Sequence, residues 1–207
     1  IPQEYLPTFN CNPIEMHLHK IAGLDEEYLY FNDDIYPLQE CSSEEFFREQ
    51  RGLLGMSTHW FACGMFKQIC KNSDTLARKV LGMRPSLRFL RPQHVCTPML
   101  KSECTALYAL AEEEIKASLT PIRAASNLNQ YLYLKGKLIN HRLSKKHISL
   151  GAVSVRRLRK SILQPTHKLI CINDVQLSEE RYHTLRSALL EAFETRFPEP
   201  SKYEKAI

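Results

Sequence analysis

The chain has 207 residues and a mass of 24.0 kDa, the size of one domain or of a large part of one. Apolar residues make up 43% of it, which is enough for a sizeable core, and no apolar run reaches the roughly 18 residues of a membrane-spanning helix. The net charge of +5 favours anionic partners such as phosphates, nucleic acid or a membrane surface. We therefore expect a globular protein without a transmembrane segment.

The seven cysteines form neither a Cys-x-x-Cys pair nor a Cys/His spacing typical of structural zinc. An odd number of scattered cysteines is typical of a reducing compartment in which the thiols stay free and mostly buried. The sequence therefore predicts a cytoplasmic protein.

The N-terminal part predicts a helix that begins at Asn12 and Pro13, with Glu15 completing a capping box and Gly23 ending the helix. Its apolar stripe consists of Ile14, Leu18 and Ile21. The spacing of four residues places Cys11, Glu15 and His19 near a second face of this helix.

Two apolar segments each run into an Asn-Asp pair, and both favour strands. "EYLYF" (27–31) is followed by Asn32-Asp33-Asp34, and "HKLICIN" (167–173) ends in Asn173, before Asp174. Two interpretations stay open. Asn and Asp are common in simple turns, but in α/β sheets ligands also gather at the carboxyl ends of strands.

The rest of the chain predicts mostly helices, so the fold class is α/β. We expect helices across residues 59–70, from a cap at Ser73, from Thr97-Pro98, from a cap at Ser126 and from Ser178. The helix from Thr97 should bury Leu100, Cys104, Leu107 and Ala111, and the last helix should repeat Leu185, Leu189 and Phe193.

Three further features each have a functional and a structural interpretation. His94 is suited to proton transfer, although a lone histidine is more often structural. Arg123 precedes a predicted helix start, where an anion can bind, but it can equally be a surface arginine. The basic segment 141–160 lacks interleaved aromatic residues, so a solvated face is favoured over nucleic-acid binding.

The segment "LPTFNCNPIEMHLHKIAGLDEEYLYFNDD", residues 6–34, resembles the second conserved block of the Stealth family. The shared positions are Leu6 to Phe9, Ile14-Glu15, His19, Gly23-Leu24 and Tyr30 to Asp34. "QHVCTPML" and "TPIRAASNLNQY", which contain His94 and Arg123, resemble the third block, and "ICINDVQLS" with "FPEPSKYE" resembles the fourth. Stealth proteins are hexose-1-phosphate transferases, including bacterial capsule enzymes and the lysosomal-enzyme GlcNAc-1-phosphotransferase.

This resemblance implies a Rossmann-like or GT-A-like mixed sheet flanked by helices, in a single catalytic domain over residues 1–207. The first block of the family, an Asp-x-x-x-Thr-Trp-Val strand and turn, is expected upstream of this sequence. Cys11 stands where a small hydroxyl residue is usual. The resemblance therefore implies a domain that is N-terminally incomplete and lacks its first strand unit.

The implied reaction moves a sugar-1-phosphate from a UDP-hexose or UDP-HexNAc donor to a hydroxyl of a glycan acceptor, in bacterial capsule or exopolysaccharide synthesis. Asp34 or His94 would be the base and Arg123 would hold phosphate oxygens. Glu15, His19, Asn32 and Asn173 would bind substrates, and Asp33, Asp34 and Asp174 would hold Mg²⁺ or Mn²⁺. We expect Glu15, Asp34, His94, Arg123 and Asp174 to converge on one cleft.

Two alternatives belong to other functional classes. The first is a non-catalytic remnant that binds a nucleotide sugar or a glycan, and turnover of a UDP-sugar to UMP would distinguish the enzyme from it. The second, less favoured, is a nucleic-acid-binding module built on residues 142–160, for which binding would depend steeply on salt. We expect no nucleic-acid partner, and membrane contact only at the periphery.

Overall fold

The computed structural model describes residues 1–201. Its strands are β1 (Glu27–Tyr30), β2 (Ile35–Pro37), β3 (Phe47–Arg48), β4 (Arg51–Leu54), β5 (Met56–His59), β6 (Phe89–Pro92), β7 (Thr97–Leu100), β8 (Leu138–Asn140), β9 (Lys145–Ser149) and β10 (Leu169–Asn173). Its α-helices are α1 (Cys11–Glu15), α2 (Met65–Val80), α3 (Lys101–Leu110), α4 (Glu112–Ser118), α5 (Val155–Leu163) and α6 (Glu179–Arg196). Short 3-10 segments cover Gln3–Tyr5, Leu18–Lys20, Ser43–Glu45 and Gln130–Leu134. The predicted α/β class is confirmed.

The chain divides into two compact units that alternate along the sequence. Unit 1 comprises residues 1–30 and 42–143, and unit 2 comprises residues 31–41 and 144–207. The acidic segment 32–34 therefore folds with unit 2, although β1, which precedes it, belongs to unit 1. The single catalytic domain over residues 1–207 stays a prediction, and residues 202–204, the end of "FPEPSKYE", lie outside the described residues.

Unit 1 contains several small sheets. β1 pairs antiparallel with β7, β5 pairs antiparallel with β6, and β4 lies between antiparallel β3 and parallel β8. β4 also approaches β7 closely, because a Cβ atom at Gly52 would lie 3.0 Å from the carbonyl oxygen of Pro98. Only a residue without a side chain fits this approach without a shift of the neighbouring strand.

The start of α3 differs from the sequence prediction. Thr97 and Pro98 do not open a helix but form the first half of β7, where Pro98 faces Leu29 of β1. The helix begins at Lys101, and the carboxylate of Glu26 accepts a hydrogen bond from the backbone N–H of Ser102 at 3.1 Å. The four residues predicted to be buried are confirmed as buried, but only Cys104 and Leu107 lie in α3, because Leu100 ends β7 and Ala111 follows the helix.

The N-terminal helix is shorter than predicted and has a different cap. Asn10 is the cap, and its side-chain oxygen accepts a hydrogen bond from the Asn12 backbone N–H at 3.1 Å. α1 ends at Glu15, which is therefore not the capping-box residue that the sequence predicts. The predicted apolar stripe is also wrong, because Ile14 and Ile21 are 43% and 51% exposed.

Two other helix starts are corrected. The helix predicted across residues 59–70 begins at Met65, since residues 56–59 form strand β5. Ser73 is not a cap, because it lies inside α2 and its hydroxyl donates to the carbonyl of Ile69 at 3.0 Å. In both cases a strand pairing or a longer helix overrode the local capping preference.

Unit 2 is built around one three-stranded sheet in the order β2-β10-β9. β9 and β10 are parallel and α5 connects them, while β2 pairs antiparallel with the other edge of β10. The strand predicted at 167–173 and the helix predicted from Ser178 are confirmed as β10 and α6. α6 ends at Arg196, just before the prolines of the tail.

The core of unit 2 lies between this sheet and the helix pair α5 and α6. Its fully buried side chains include Leu158, Ile162, Ile170 and Leu185. Each such side chain contributes about 1.5–3 kcal/mol by its removal from water. Arg196 of α6 adds a polar link, since its guanidinium donates to the Leu38 carbonyl at 2.6 Å.

Within residues 1–201, no helix has the length and apolar character needed to cross a bilayer. In the same part of the chain no disulfide joins any of the seven cysteines. Four of these thiols are buried, at Cys70, Cys96, Cys104 and Cys171.

Candidate active site

The N-terminal segment and the loop at residues 119–128 are joined by buried side-chain amides. The Asn10 amide N–H donates to the Asn127 side-chain oxygen at 2.9 Å and to the Thr120 carbonyl at 3.0 Å. The Asn127 amide in turn donates to the Ser118 carbonyl at 2.6 Å, and its oxygen accepts the Ala124 backbone N–H at 2.9 Å. Because Asn10 and Asn127 are almost fully buried, this network holds both segments in one position.

The loop held in this way carries Arg123 to Cys11, the first residue of α1. The Arg123 guanidinium donates to the Cys11 thiol, and Cys11 lies four residues before Glu15 on the same helix. Burial first, and then the Glu15 carboxylate, raise the pKa of the Cys11 thiol to about 11, although Arg123 opposes the rise. Cys11 is therefore a neutral thiol at neutral pH, between a cation and an anion.

Glu15 has a second partner in Tyr30, the last residue of β1. The Tyr30 hydroxyl donates to the Glu15 carboxylate at 3.1 Å. Burial raises the Tyr30 pKa and the neighbouring carboxylate raises it further, so this phenol stays protonated and keeps donating. Glu15 thus accepts from a fixed donor and is only half-buried, so part of its carboxylate remains open to solvent.

In the chain Arg123 does not precede a helix start, in contrast to the sequence prediction. Residues 124–127 form a turn, closed by the hydrogen bond from the Asn127 N–H to the Ala124 carbonyl, and Ser126 is not a helix cap. The following helical segment is the 3-10 turn Gln130–Leu134, which is capped by Asn129.

His94 lies in the loop between β6 and β7 and lines a cavity of about 220 Å³. Arg91 and Arg142 line the same cavity, so it presents two guanidinium groups beside an imidazole. The loop is held by Gln93, whose amide donates to the Leu143 carbonyl at 2.8 Å and accepts the Leu143 N–H at 3.1 Å. This cavity is suited to an anion.

The phenol of Tyr131 interacts electrostatically with Glu15 and with Arg91 of the His94 cavity. Burial raises its pKa, and the groups that act on it include Cys70, Glu15 and Arg91. Its phenol therefore lies within electrostatic range of both the Glu15 carboxylate and an arginine of the His94 cavity. Sequence reasoning did not select Tyr131 or Arg91 as site residues, and no local pattern marks either of them.

His19 lies in the protein interior. It is 4% exposed, and its ring contacts those of Tyr108 and Tyr133 at centroid distances of 5.1 and 5.8 Å. Burial first, and then the positive charge of Lys20, lower its pKa to about 4. Its predicted role in substrate binding stays a prediction.

The acidic residues of unit 2 gather at one end of its sheet. The Asp34 carbonyl accepts the Ile172 N–H at 2.8 Å, which places the segment before β2 beside the end of β10. The pKa of Tyr36 is raised by burial first and then by Asp33, Asp34 and Asp174 together. All three predicted metal-binding carboxylates therefore lie within electrostatic range of one phenol.

Asn32 and Asn173 frame this acidic end. The Asn32 carbonyl accepts the Ile35 N–H at 3.1 Å, so the segment 32–34 is a turn, as one of the two interpretations predicted. The Asn173 amide donates to the carbonyl of Asp174 at 3.2 Å. The turn and the strand-end interpretations are compatible, because the turn sets its carboxylates beside the end of β10.

Cys171 of β10 lies beside one of these carboxylates. Its thiol donates to the Asp34 carboxylate at 3.3 Å, and burial raises its pKa to about 11. The predicted ligands Asp33, Asp34 and Asp174 all offer carboxylate oxygens. Oxygen donors of this kind fit Mg²⁺ or Mn²⁺.

Comparisons with known proteins agree with these motifs. Residues 1–54 match the family model of Stealth protein conserved region 2, and residues 160–207 match that of conserved region 4. A capsular polysaccharide phosphotransferase of Haemophilus influenzae is 27% identical over 88% of this chain and 56% of its own length. A second one, from Neisseria meningitidis, is 29% identical over 67% of this chain and 42% of its own length. The chain belongs to the Stealth family.

The Stealth regions contain most of the candidate residues. Conserved region 2 carries Glu15 and the acidic segment 32–34, and conserved region 4 carries Asn173 and Asp174. His94 and Arg123 lie between these two matches. An exopolysaccharide phosphotransferase of Streptomyces coelicolor aligns across 98% of the chain at 26% identity, although only 23% of that protein is covered. The chain thus spans about half or less of the length of these relatives.

The structure brings some of the predicted residues together within each unit. In unit 1, Glu15 and Arg123 meet at Cys11; in unit 2, Asp34 and Asp174 meet at the end of β10. The convergence of residues from both units on one cleft stays a prediction.

Proposed function

We propose that this Stealth protein transfers a sugar-1-phosphate from a nucleotide sugar, a UDP-hexose or UDP-HexNAc, to a hydroxyl of a glycan acceptor. The products are a phosphodiester and a nucleoside monophosphate, and the biological setting is capsule or exopolysaccharide synthesis. The relatives named above are capsular and exopolysaccharide phosphotransferases, which supports this class of reaction. The observation that carries the proposal is the grouping of Glu15 and Arg123 around Cys11 by a buried amide network.

Arg123 serves phosphate binding in this proposal. A guanidinium can donate to two phosphate oxygens at once, and charge-assisted donors of this kind stabilise the charge of a phosphoryl transition state. Arg123 is exposed, so a substrate can reach it, and its position is fixed by a loop that the buried Asn127 holds. Glu15, held by Tyr30, is placed to accept hydrogen bonds from sugar hydroxyls.

The base that takes the acceptor proton is Asp34 or His94. His94 stands beside two arginines in a cavity of about 220 Å³, which favours an anionic substrate near the imidazole. Asp34 stands at the acidic end of β10, where a carboxylate can accept a proton from a hydroxyl. The base and Arg123 together would supply proton removal and charge neutralisation for an in-line displacement.

A divalent cation, Mg²⁺ or Mn²⁺, is part of the proposal. Asp33, Asp34 and Asp174 would hold it, since their carboxylates gather near Tyr36 and are oxygen donors. Such an ion would neutralise charge on the diphosphate of the donor. Removal of divalent ions by EDTA should abolish turnover, and added Mn²⁺ or Mg²⁺ should restore it.

The proposal also covers the fold of the catalytic domain, the compartment in which the protein works and its contact with a membrane. The sheet architecture of the catalytic domain is Rossmann-like or GT-A-like. The protein works in the cytoplasm, where nucleotide sugars are available as donors. Peripheral contact with a membrane is compatible with its net charge of +5.

The test is release of UMP by protein expressed from the complete gene, supplied with UDP-hexose or UDP-HexNAc and a glycan acceptor. Acceptor-dependent UMP release is expected, and Asp34→Asn and His94→Gln should separate the base from the residue that only binds. The base variant should lose activity at all donor and Mn²⁺ concentrations, whereas a variant that weakens only donor or metal binding should regain rate as donor or Mn²⁺ is raised. Absence of turnover with every donor, although the donor binds, would instead identify the non-catalytic nucleotide-sugar or glycan-binding protein.

A further inference from the structure

Unit 2 contains a second concave site that the proposed chemistry does not use. A cavity of about 280 Å³ lies between α5, the start of β9 and the loop that enters β10. Its lining includes three cations, a histidine and two hydroxyl side chains: Lys146, Arg157, Lys160, His167, Ser161 and Thr166. Its volume is close to the lower limit, roughly 300 Å³, of typical small-ligand pockets.

This cavity lies at the opposite end of the sheet from the acidic residues. In β2, Ile35 pairs with Cys171 near the end of β10, whereas the Leu38 N–H donates to the Lys168 carbonyl just before β10 begins. Asp34 and Asp174 are therefore at one end, and Leu38 and His167 at the other. The four residue steps of β10 separate these ends by about 13 Å at roughly 3.3 Å a step.

Few carboxylates lie near the cations of the cavity in the sequence. Residues 144–173 contain seven Lys or Arg and no Asp or Glu. Arg159 on α5 forms an ion pair with Glu191, and Arg181 of α6 donates to the Leu150 and Val153 carbonyls. Within residues 1–201, by contrast, Lys146, Arg157 and Lys160 form no ion pair.

The helix geometry directs two of these cations to one place. Arg157, Lys160, Ser161 and Gln164 follow the spacing of three, four and seven residues, which places them on one face of α5 and its end. Lys160, near the C-terminus of α5, also interacts favourably with the helix dipole. The dipole does not account for Lys146 on β9 or for Arg157 in the first turn of α5. The grouping of these cations around the cavity therefore needs another explanation.

We propose that this cavity binds a phosphate group. Its ammonium, guanidinium and imidazole groups and its hydroxyls are the donors that bind phosphate oxygens, and among the described residues no carboxylate lines it to repel an anion. Thr166 Oγ1 lies 2.9 Å from His167 Nδ1, so a hydroxyl and an imidazole already stand together at its edge. The proposal does not depend on the transferase activity, because it concerns a binding site at the other end of the sheet.

The test measures binding of inorganic phosphate by NMR, with chloride at equal ionic strength as the reference. Phosphate should shift the backbone amide signals of Ser161, Gln164, Thr166 and His167 in a saturable way. Arg157→Ala and Lys160→Ala should each weaken binding by about threefold or more, because each removes one charge-assisted contact from a partly exposed site. Arg156→Ala removes the same charge from the same helix outside the cavity and should change affinity less than about twofold.

A second arm identifies the source of the phosphate. Vesicles of phosphatidylglycerol in phosphatidylcholine present lipid phosphates, and a sugar phosphate presents a soluble one. Binding of the sugar phosphate with loss in Arg157→Ala supports a soluble ligand, and the same pattern with vesicles supports a lipid headgroup. Signal shifts that do not saturate, or equal loss of binding in Arg156→Ala and Arg157→Ala, would overturn the site and leave only a diffuse basic surface.

Discussion

The two units hold their candidate catalytic groups in different ways. In unit 2, Asp34 and Asp174 stand at one end of a continuous sheet, so the strand register places them. In unit 1, Arg123 stands on a loop that contacts α1 across more than one hundred residues of sequence, and buried amides at Asn10 and Asn127 place it. A sheet gives rigid positions from regular structure, whereas a loop needs polar side chains to fix it. Substitution of a single polar side chain in unit 1 should therefore disturb the position of a candidate catalytic group.

The largest expected effect is on turnover, from Arg123→Lys in protein expressed from the complete gene. Lysine keeps the charge but loses the planar fork that grips two oxygens. The loss of one charge-assisted contact in the transition state should cost on the order of 2–4 kcal/mol, or roughly 30- to 1000-fold in rate. Steady-state UMP release measures it, and Arg51→Lys, an exposed arginine of the same unit, is the matched control.

If the Arg123→Lys protein turns over at the parent rate, Arg123 is a surface residue and the loop network serves stability alone. In that case the His94 cavity, with Arg91 and Arg142, becomes the place in unit 1 for phosphate.

The next effect is on the pH dependence of stability, through buried His19. Its pKa falls from 6.5 to about 4 on folding, so between these values the unfolded state binds more protons than the folded state. Stability should then fall as pH decreases from about 6.5 to about 4, by up to about 3 kcal/mol at 1.36 kcal/mol per pKa unit. His19→Phe keeps an aromatic ring and removes the titration, so its unfolding free energy should vary less over this range.

Urea unfolding at several pH values measures this difference. His17, whose pKa burial also lowers, titrates in both proteins and therefore cancels in the comparison. Equal pH slopes for the parent and the His19→Phe protein would contradict the burial of a neutral His19.

A smaller effect tests the amide network directly. Asn127→Ala removes hydrogen bonds to Asn10, Ser118, Thr120 and Ala124, and should lower the free energy of unfolding by about 2 kcal/mol, because buried partners are left unsatisfied. Ser126→Ala is the neighbouring control. The sequence predicts Ser126 as a helix cap, which would cost about 1 kcal/mol, but the structure gives it no cap, so a change below about 0.5 kcal/mol is expected.

Thermal or urea unfolding of these two variants tests whether Ser126, the cap that the sequence predicts, or Asn127, the centre of the amide network, stabilises the loop. A larger loss in the Ser126→Ala protein than in the Asn127→Ala protein would mean that a helix begins where the sequence predicted it.

The smallest effect is expected in unit 2, where the sheet itself provides the positions. Arg196→Ala removes the link from α6 to the Leu38 carbonyl and should cost about 1 kcal/mol of stability. Arg186→Ala, an exposed arginine of the same helix, should change stability by less than about 0.5 kcal/mol. If Arg196→Ala destabilises the protein as much as Asn127→Ala, the contrast between a sheet-held and a side-chain-held unit fails.

The elements that the sequence predicted well are those with strong local patterns. β10 is a run of apolar residues that ends at Asn173, and α6 begins at Ser178 and ends before prolines. The inner face of α3 was also predicted, because Cys104 and Leu107 follow helical spacing. The Stealth-like blocks also supplied Glu15, Asp34, His94, Arg123 and Asp174 as candidates, and their roles stay predictions.

The helix starts failed where a distant partner competed with a local signal. Thr97-Pro98 has the composition of a helix start, but β1 offers it a strand partner, and that pairing prevailed. Asn12 has the composition of a cap, but its side chain is buried, and Asn10 caps α1 instead. Capping preferences amount to about 1 kcal/mol, which tertiary contacts easily exceed.

The sequence by itself determined the α/β class, β10, α6 and the residue types available for phosphate chemistry, because periodicity and composition act over a few residues. Only the tertiary structure decided which of these residues meet. The acidic segment 32–34 belongs to unit 2 because Ile172 donates to the Asp34 carbonyl, and Arg123 reaches Cys11 because Asn127 holds its loop. Contacts of this kind join positions that are distant in the chain, and their energy comes from buried hydrogen bonds that no short pattern encodes.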